Sequence, residues 1–369
     1  MHILKLGARL TSSVLIAAST LTPSWAAADA VGPPKIDLAQ ACFEGQTPIP
    51  SGPLRIEPDG GHSYLYTTPT GESFTQLMPP TSFDPLKASD DALIRYGYTP
   101  RPVDPVELDA WLAEAGGYRQ AADEAPIFCK MPRPDPFAAI PSTHTATTFW
   151  SGEENTVGGY QRAVGDFIQP SVTNTTNSSM LNWVGLTGSG SKHVLIQAGT
   201  VNEPGNPSVG YPFWELYCTW SPSCNGYQPD KRYTATHGTH VSISVSYNPA
   251  THLSYYHVRF NNVLRINVQY LIPAGSVSGA SALYIGERVL GPPQRNLPTF
   301  ALMQWLNLRT FPVWNQSTYT YFGDQAHTNI EMSKNGTFYT VPPCTNANIL
   351  MYPTQQSRTG FYNVFCRAS

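Results

Sequence analysis

The segment His240-Val-Ser-Ile-Ser-Val-Ser-Tyr247 alternates apolar and polar side chains almost without fault. A period of two puts Val241, Ile243, Val245 and Tyr247 on one face of a strand, whereas a helix would scatter them around its axis. Further strands are expected at Leu253 to Phe260, Val263 to Leu271, Ser281 to Leu290, Pro298 to Leu308, Thr318 to Phe322 and Phe361 to Cys366. Turn residues such as Asn261-Asn262, Pro273-Ala-Gly275 and Gly291-Pro-Pro293 separate several of them. Regular short strands with such turns predict an all-β chain, an antiparallel β-sandwich of jelly-roll-like form. The 34 Pro, 29 Gly and 13% charged residues agree, since they leave little sequence for long helices.

The N-terminal third reads differently. Lys5 and Arg9, the apolar run Leu10 to Leu21 and the small residues around Ala26 predict a signal peptide over 1–28, hence secretion. No later stretch has the ~18 consecutive apolar residues that a membrane-spanning helix needs. Residues 29–140 carry 16 Asp/Glu against 8 Lys/Arg, a net of −8, whereas residues 141–369 carry 9 against 12, a net of +3. This contrast predicts an acidic, separable pro-segment over 29–140 that associates with a β-sandwich domain over 141–369. The pro-segment should be small and mixed. Asp104 can cap a helix that starts at Pro105, with Glu107 at capping-box spacing, and Ser89 to Arg95 suits a shorter helix. Lys130-Met-Pro-Arg-Pro-Asp-Pro136 reads as a linker.

Six cysteines fit an oxidising compartment. Fifteen connectivities are open to six cysteines. Proximity favours Cys218 with Cys224 and Cys344 with Cys366, which leaves Cys42 for Cys129. Full pairing would leave no thiol nucleophile. The chain lacks GxxxxGK[ST], a GxGxxG that opens a helix, and GxSxG, and Gly188-Ser-Gly-Ser191 reads as a hairpin turn. His237-Gly-Thr-His240 lacks an acidic or cysteine ligand nearby, so turn histidines are the better reading and no metal or cofactor is expected. A net of +3 without a basic stripe gives no nucleic-acid footprint.

Two polar side chains interrupt apolar strand faces. Leu283, Ile285 and Val289 share a face with Glu287, and Leu195, Gly199 and Val201 share one with Gln197. A carboxylate in an apolar row costs several kcal/mol to ionise unless compensated, so it is usually paired or functional. The plain alternatives are an amide satisfied by backbone for Gln197, and an ion pair with Arg259 or Arg288 for Glu287.

The wording around these residues resembles the glutamic peptidases (eqolisins). In order along the chain stand Asn182-Trp-Val-Gly-Leu-Thr-Gly188, Val194-Leu-Ile-Gln-Ala-Gly199, Phe213-Trp-Glu-Leu-Tyr217, Gly286-Glu-Arg-Val-Leu-Gly-Pro-Pro293 and Leu297-Pro-Thr-Phe-Ala301, after an opening Trp150-Ser-Gly152. Tyr284 to Leu290, the Cys218 to Cys224 loop and the Cys344 and Cys366 pair also resemble the related neprosins. The resemblance covers roughly residues 147–369. It implies that Gln197 and Glu287 are the catalytic pair, with Trp183, Thr187, Trp214, Glu215 and Tyr217 binding substrate or supporting the pair. Thr187 stands where an aspartate is usual, and Arg288 where an aromatic or aliphatic residue is common. The implied protein is an acid endopeptidase acting on proteins or peptides, with a proline-related preference on the neprosin side. The pro-segment's net of −8 would fall as its carboxylates protonate, which predicts a zymogen inhibited by its own pro-segment and released at low pH. The small number of carboxylates after residue 140 suits an acid habitat, because few native ion pairs are lost on protonation. The competing expectation is a non-catalytic secreted β-sandwich that binds carbohydrate or a surface, with Trp183, Trp214, Trp220 and Tyr217 lining a groove.

Overall fold

Alternation sets the sheet register. In the hairpin Leu253–Phe260 to Val263–Leu271, both strands have the bounds expected from sequence. Asn261 and Asn262 form its two-residue turn with positive φ (47° and 63°), the conformation that matches strand twist and that asparagine tolerates. The computed structural model describes residues 41–43, 45–118, 125–131, 146–173, 177–188, 194–203, 206, 208–218, 224–289, 296–300, 302–334, 344 and 346–366. The signal-peptide reading, Trp220, most of Gly188–Ser191 and the linker beyond Met131 lie outside these residues.

The N-terminal part supplies β1 (Thr47–Ile49), β2 (Leu54–Ile56), β3 (His62–Thr67), β4 (Ser73–Met78) and β5 (Phe128–Lys130). Then come β6 (Ala146–Thr147), β7 (Trp150–Asn155), β8 (Arg162–Ile168), β9 (Met180–Thr187), β10 (Val194–Asn202), β11 (Gly210–Cys218), β12 (Gly226–Pro229), β13 (His240–Asn248), β14 (Leu253–Phe260) and β15 (Val263–Leu271). The chain continues through β16 (Ala282–Arg288), β17 (Leu302–Phe311), β18 (Thr320–Tyr321), β19 (His327–Ser333), β20 (Ile349–Ser357) and β21 (Gly360–Phe365). The strand expected from Pro298 therefore starts at Leu302.

The first sheet runs β1-β5-β12-β11-β10-β9-β16-β7-β19. The second runs β2-β3-β4-β15-β14-β13-β8-β17-β18. β20 and β21 connect β19 to β17, so the sheets join along one side. Neighbours are antiparallel except β6 beside β19. The result is an all-β antiparallel sandwich.

The main core lies between the sheets and includes Val184, Ile196, Trp214, Tyr256 and Trp305. The N-terminal part shares it. Phe74 meets Trp214 edge-on at 4.8 Å, and Phe128 meets Phe74 at 5.1 Å. Thus the N-terminal part adds β1 and β5 to the first sheet and β2–β4 to the second, with aromatic packing behind them.

Two helices complete the N-terminal part. Asp90–Arg95 is capped by Ser89, and Pro105–Gly116 by Asp104, whose carboxylate accepts from Val106 and Glu107 N–H. Glu107 does not close a capping box; its carboxylate accepts from the Tyr321 hydroxyl at 2.7 Å. The longer helix and the turn at Gly97 lie on the outer face of the second sheet. There Arg259 of β14 pairs with Glu114 at 3.1 Å, and a Cβ on Gly97 would come 2.6 Å from the His257 ring. All three disulfides form as expected: Cys42–Cys129, Cys218–Cys224 and Cys344–Cys366.

Candidate active site

Register brings the two polar interruptions onto one face. Gln197 of β10 stands opposite Glu215 of β11 on one side and Gly185 of β9 on the other. Across β9, Trp183 faces Ile285 and Leu181 faces Glu287 of β16. On the far side of β16, Glu287 stands opposite Trp150 of β7. This face is turned away from the second sheet and carries its own apolar cluster, which includes Trp150, Leu181, Trp183, Leu195, Phe213 and Ile285. Gly199 lets the strands approach here: a Cβ at that position would lie 1.9 Å from the Asn182 carbonyl oxygen.

Glu287 is partly buried within that cluster, and the Trp183 indole N–H donates to its Oε2 at 2.7 Å. Burial among apolar groups, followed by the nearby Glu215 charge, pushes its carboxyl up to about 8, and hydrogen bonding from Trp183 and Trp150 offsets part of the rise. The ion-pair alternatives fall away. Arg259 pairs with Glu114, and Arg288 donates to the Thr148 carbonyl at 2.7 Å.

Gln197 is 3% exposed, so its polar atoms depend on protein partners. Its Nε2 donates to Glu215 Oε2, while its Oε1 has no hydrogen-bond partner among the described residues. The backbone-satisfied amide is thus replaced by a side-chain contact. Glu215 links the two interruptions: it accepts from Gln197 and its charge acts on Glu287. A neutral amide donor with a carboxylate on one side and a carboxyl of raised pKa two strands away on the other can activate water and hold a developing oxyanion.

Residues 148–351 match the Peptidase A4 family. The chain belongs to that family. It is a glutamic endopeptidase. No curated protein matches the sequence. Among solved structures, a scytalido-glutamic peptidase with a transition-state analogue inhibitor shares 10% identity, covering 59% of this chain and 98% of its own, with a TM-score of 0.44. SCP-B, described as an eqolisin in complex with the tripeptide Ala-Ile-His, gives 11% identity, the same shares and a TM-score of 0.38.

The other expected residues of this glutamic peptidase divide by face. Trp183, Glu215 and Tyr217 share the Gln197 face, and Tyr217 is 9% exposed there. Trp214 points the opposite way. It lies in the main core against Phe74, Tyr227 and Tyr256, so of the two roles expected for it, binding substrate or supporting the pair, the first is closed by its orientation. Thr187 accepts from Ser281 N–H at 3.0 Å and donates its own N–H to Ser281 O at 3.1 Å. It thereby ties the end of β9 to the start of β16, two residue pairs along from Gln197 and Gly185 and on the same face.

Three residues on this face carried no site reading in the sequence. Trp150 opened the recognised region, yet only its register with Glu287 gives it a place in the site. Phe43 and Met131 of the N-terminal part pack onto the same apolar cluster. Their sequence surroundings hold no signal of it. Of the two histidines weighed as metal ligands, His240 faces Asp166 at 3.3 Å and His237 Nδ1 lies 3.3 Å from the Gln169 carbonyl.

Proposed function

We propose that the chain is a secreted acid endopeptidase that cleaves proteins or peptides with Gln197 and Glu287, and that it is made as a zymogen. The observation that carries the reading is the Gln197–Glu215–Glu287 arrangement on one sheet face, with an indole N–H on the Glu287 carboxyl. Peptide hydrolysis needs a base for water and a donor for the oxyanion. Ionised Glu287 takes a proton from water and returns it to the leaving amine, while an N–H of Gln197 faces the oxyanion. A neutral amide partner avoids the like-charge conflict of two catalytic carboxylates.

A carboxyl pushed up to about 8 keeps its proton in acid, so Glu287 as it stands is a poor base there. Burial is the leading cause of that shift, and access of water to the face would lower it. A resting form with Phe43 and Met131 over this face fits a zymogen.

His257 gives the N-terminal part an acid response. The groups that act on it are Arg162 of β8, Ser244 of β13, Arg259 of β14 and Asn267 of β15; on the N-terminal side Gly97 lies against its ring, and Tyr98 and Glu114 lie against Arg259. Burial and then Arg162 and Arg259 hold its pKa well below the usual 6.5. The covered state therefore binds fewer protons than an uncovered one. Its hold is complete above about pH 6.5 and weakens as pH falls below that value. Glu287 acts in the opposite sense, since covering raises its pKa, so release reflects the balance between them.

Glu287→Gln and Gln197→Ala should each abolish acid protein digestion while circular dichroism stays unchanged; retained cleavage would reject the pair. Lowering the precursor from about pH 7 to about pH 3 should release a fragment that starts between about Lys130 and Trp150. His257→Phe should move that release to lower pH, and an unchanged midpoint would remove His257 from the account. Cleavage near proline, implied by the neprosin resemblance, is read from a peptide library on the activated protein.

A further inference from the structure

We propose that the side of β12 that β5 covers in this form is where substrate backbone docks once β5 has left, and that Gly226 floors a pocket for a long, unbranched apolar substrate side chain. This rests on the peptidase reading above and adds a specificity-determining residue to it. β12 pairs with β11 through Trp214↔Tyr227 and Glu215↔Gly226, and its other side is taken by β5 of the N-terminal part. The family match starts at residue 148, and among the described residues the strand beyond β12 on that side is β5, from outside the matched region. Adding an extended peptide to such an edge is a common way to bind one: main-chain hydrogen bonds give affinity and alternate side chains enter pockets.

The chain of β5 already does this. Lys130 stands opposite Tyr227, and Met131 N–H then donates to Gly226 O at 2.9 Å. Register places Met131, Gly226, Glu215 and Gln197 in one row across four neighbouring chain segments. The Met131 side chain packs on the apolar cluster of the Gln197 face. The missing side chain at 226 makes room for it: a Cβ there would meet Met131 Sδ at 3.2 Å and Glu215 Cδ at 3.5 Å. A thin thioether fits over bare backbone beside Glu215, whereas a β-branched side chain would spread where the thioether runs straight. Met131 thus occupies the place of a substrate side chain, and β5 the place of substrate backbone.

Acid-activated full-length protein and its Gly226→Ala variant should be profiled on one peptide library. The wild type should favour Met or norleucine over Val and Ile at one position by roughly tenfold, the range for a methylene-sized fit. Gly226→Ala should lose about tenfold more in kcat/KM on Met peptides at that position than on Ala peptides. Because the variant could fold poorly, synthetic peptides spanning residues 125–135, with Cys129 replaced by Ser and Met, Val or Asp at position 131, should be tested as inhibitors of the wild type. Competitive inhibition ranked Met over Val over Asp supports the pocket. Cleavage with the same profile in wild type and Gly226→Ala, or equal inhibition by the three peptides, overturns the pocket and leaves the peptidase reading intact. Absence of cleavage by the wild type overturns both.

Discussion

Glu287 on β16 and Glu153 on the neighbouring strand β7 have carboxyls pushed up to about 8, yet their surroundings have little in common. Glu153 is fully enclosed and burial is the cause of its shift; with its amide turned to donate, Asn329 reaches both oxygens at 2.7 and 2.8 Å. Glu287 lies on the opposite face, partly accessible, beside a second carboxylate and under an indole N–H. A raised pKa alone therefore does not mark chemistry. What distinguishes the two is whether the proton can leave, and whether a donor stands ready for the product of its leaving.

The comparison breaks most sharply under amide replacement. Glu287→Gln should cost ~10²–10⁴-fold in kcat, the usual share of a general base, whereas Glu153→Gln should stay within about twofold in the same acid assay. Equal losses would mean that the two carboxyls differ less than their surroundings suggest. A smaller effect is expected from Glu215→Gln. It removes the like charge that raises the Glu287 pKa, so the acid limb of the pH–rate profile should move to lower pH. A profile displaced upward would contradict that sign. Smallest is the stability effect of Glu153. The folded state holds its proton between the ordinary 4.5 and about 8, so this group favours folding as pH falls through that window and ceases to do so above it. Glu153→Gln should flatten the rise in Tm between about pH 8 and pH 5 by a few degrees, read by thermal scans at several pH values.

Sequence alternation exposed both interruptions and the β14–β15 hairpin because a half-buried strand writes its orientation into every second residue. The same rule shows where the reading went astray. Trp214 and Glu215 are adjacent on one strand, so their side chains point to opposite faces and only one could join Gln197. The pairing partner of Gln197 was not legible, because opposition across strands depends on register between distant segments. The placement of β1, β2 and β5 was hidden for a related reason. Each is three residues long, too short to show a period, and is fixed by the edge it joins. Charge counting caught the contrast between the two regions of the chain but missed the aromatic packing that joins them.

The positions of the disulfides decide how the protein responds to being cut. Cys42–Cys129 closes a loop 87 residues apart in sequence, entirely inside the N-terminal region, while Cys218–Cys224 and Cys344–Cys366 lie entirely beyond it. After a nick anywhere between Cys42 and Cys129, the N-terminal region stays a single covalent piece, still seated by the strands on either side of the break. A cut between Cys129 and Trp150 severs its only covalent tether to the peptidase region. Breaks along most of the N-terminal region thus leave every piece covalently joined, and only one short window parts the two regions.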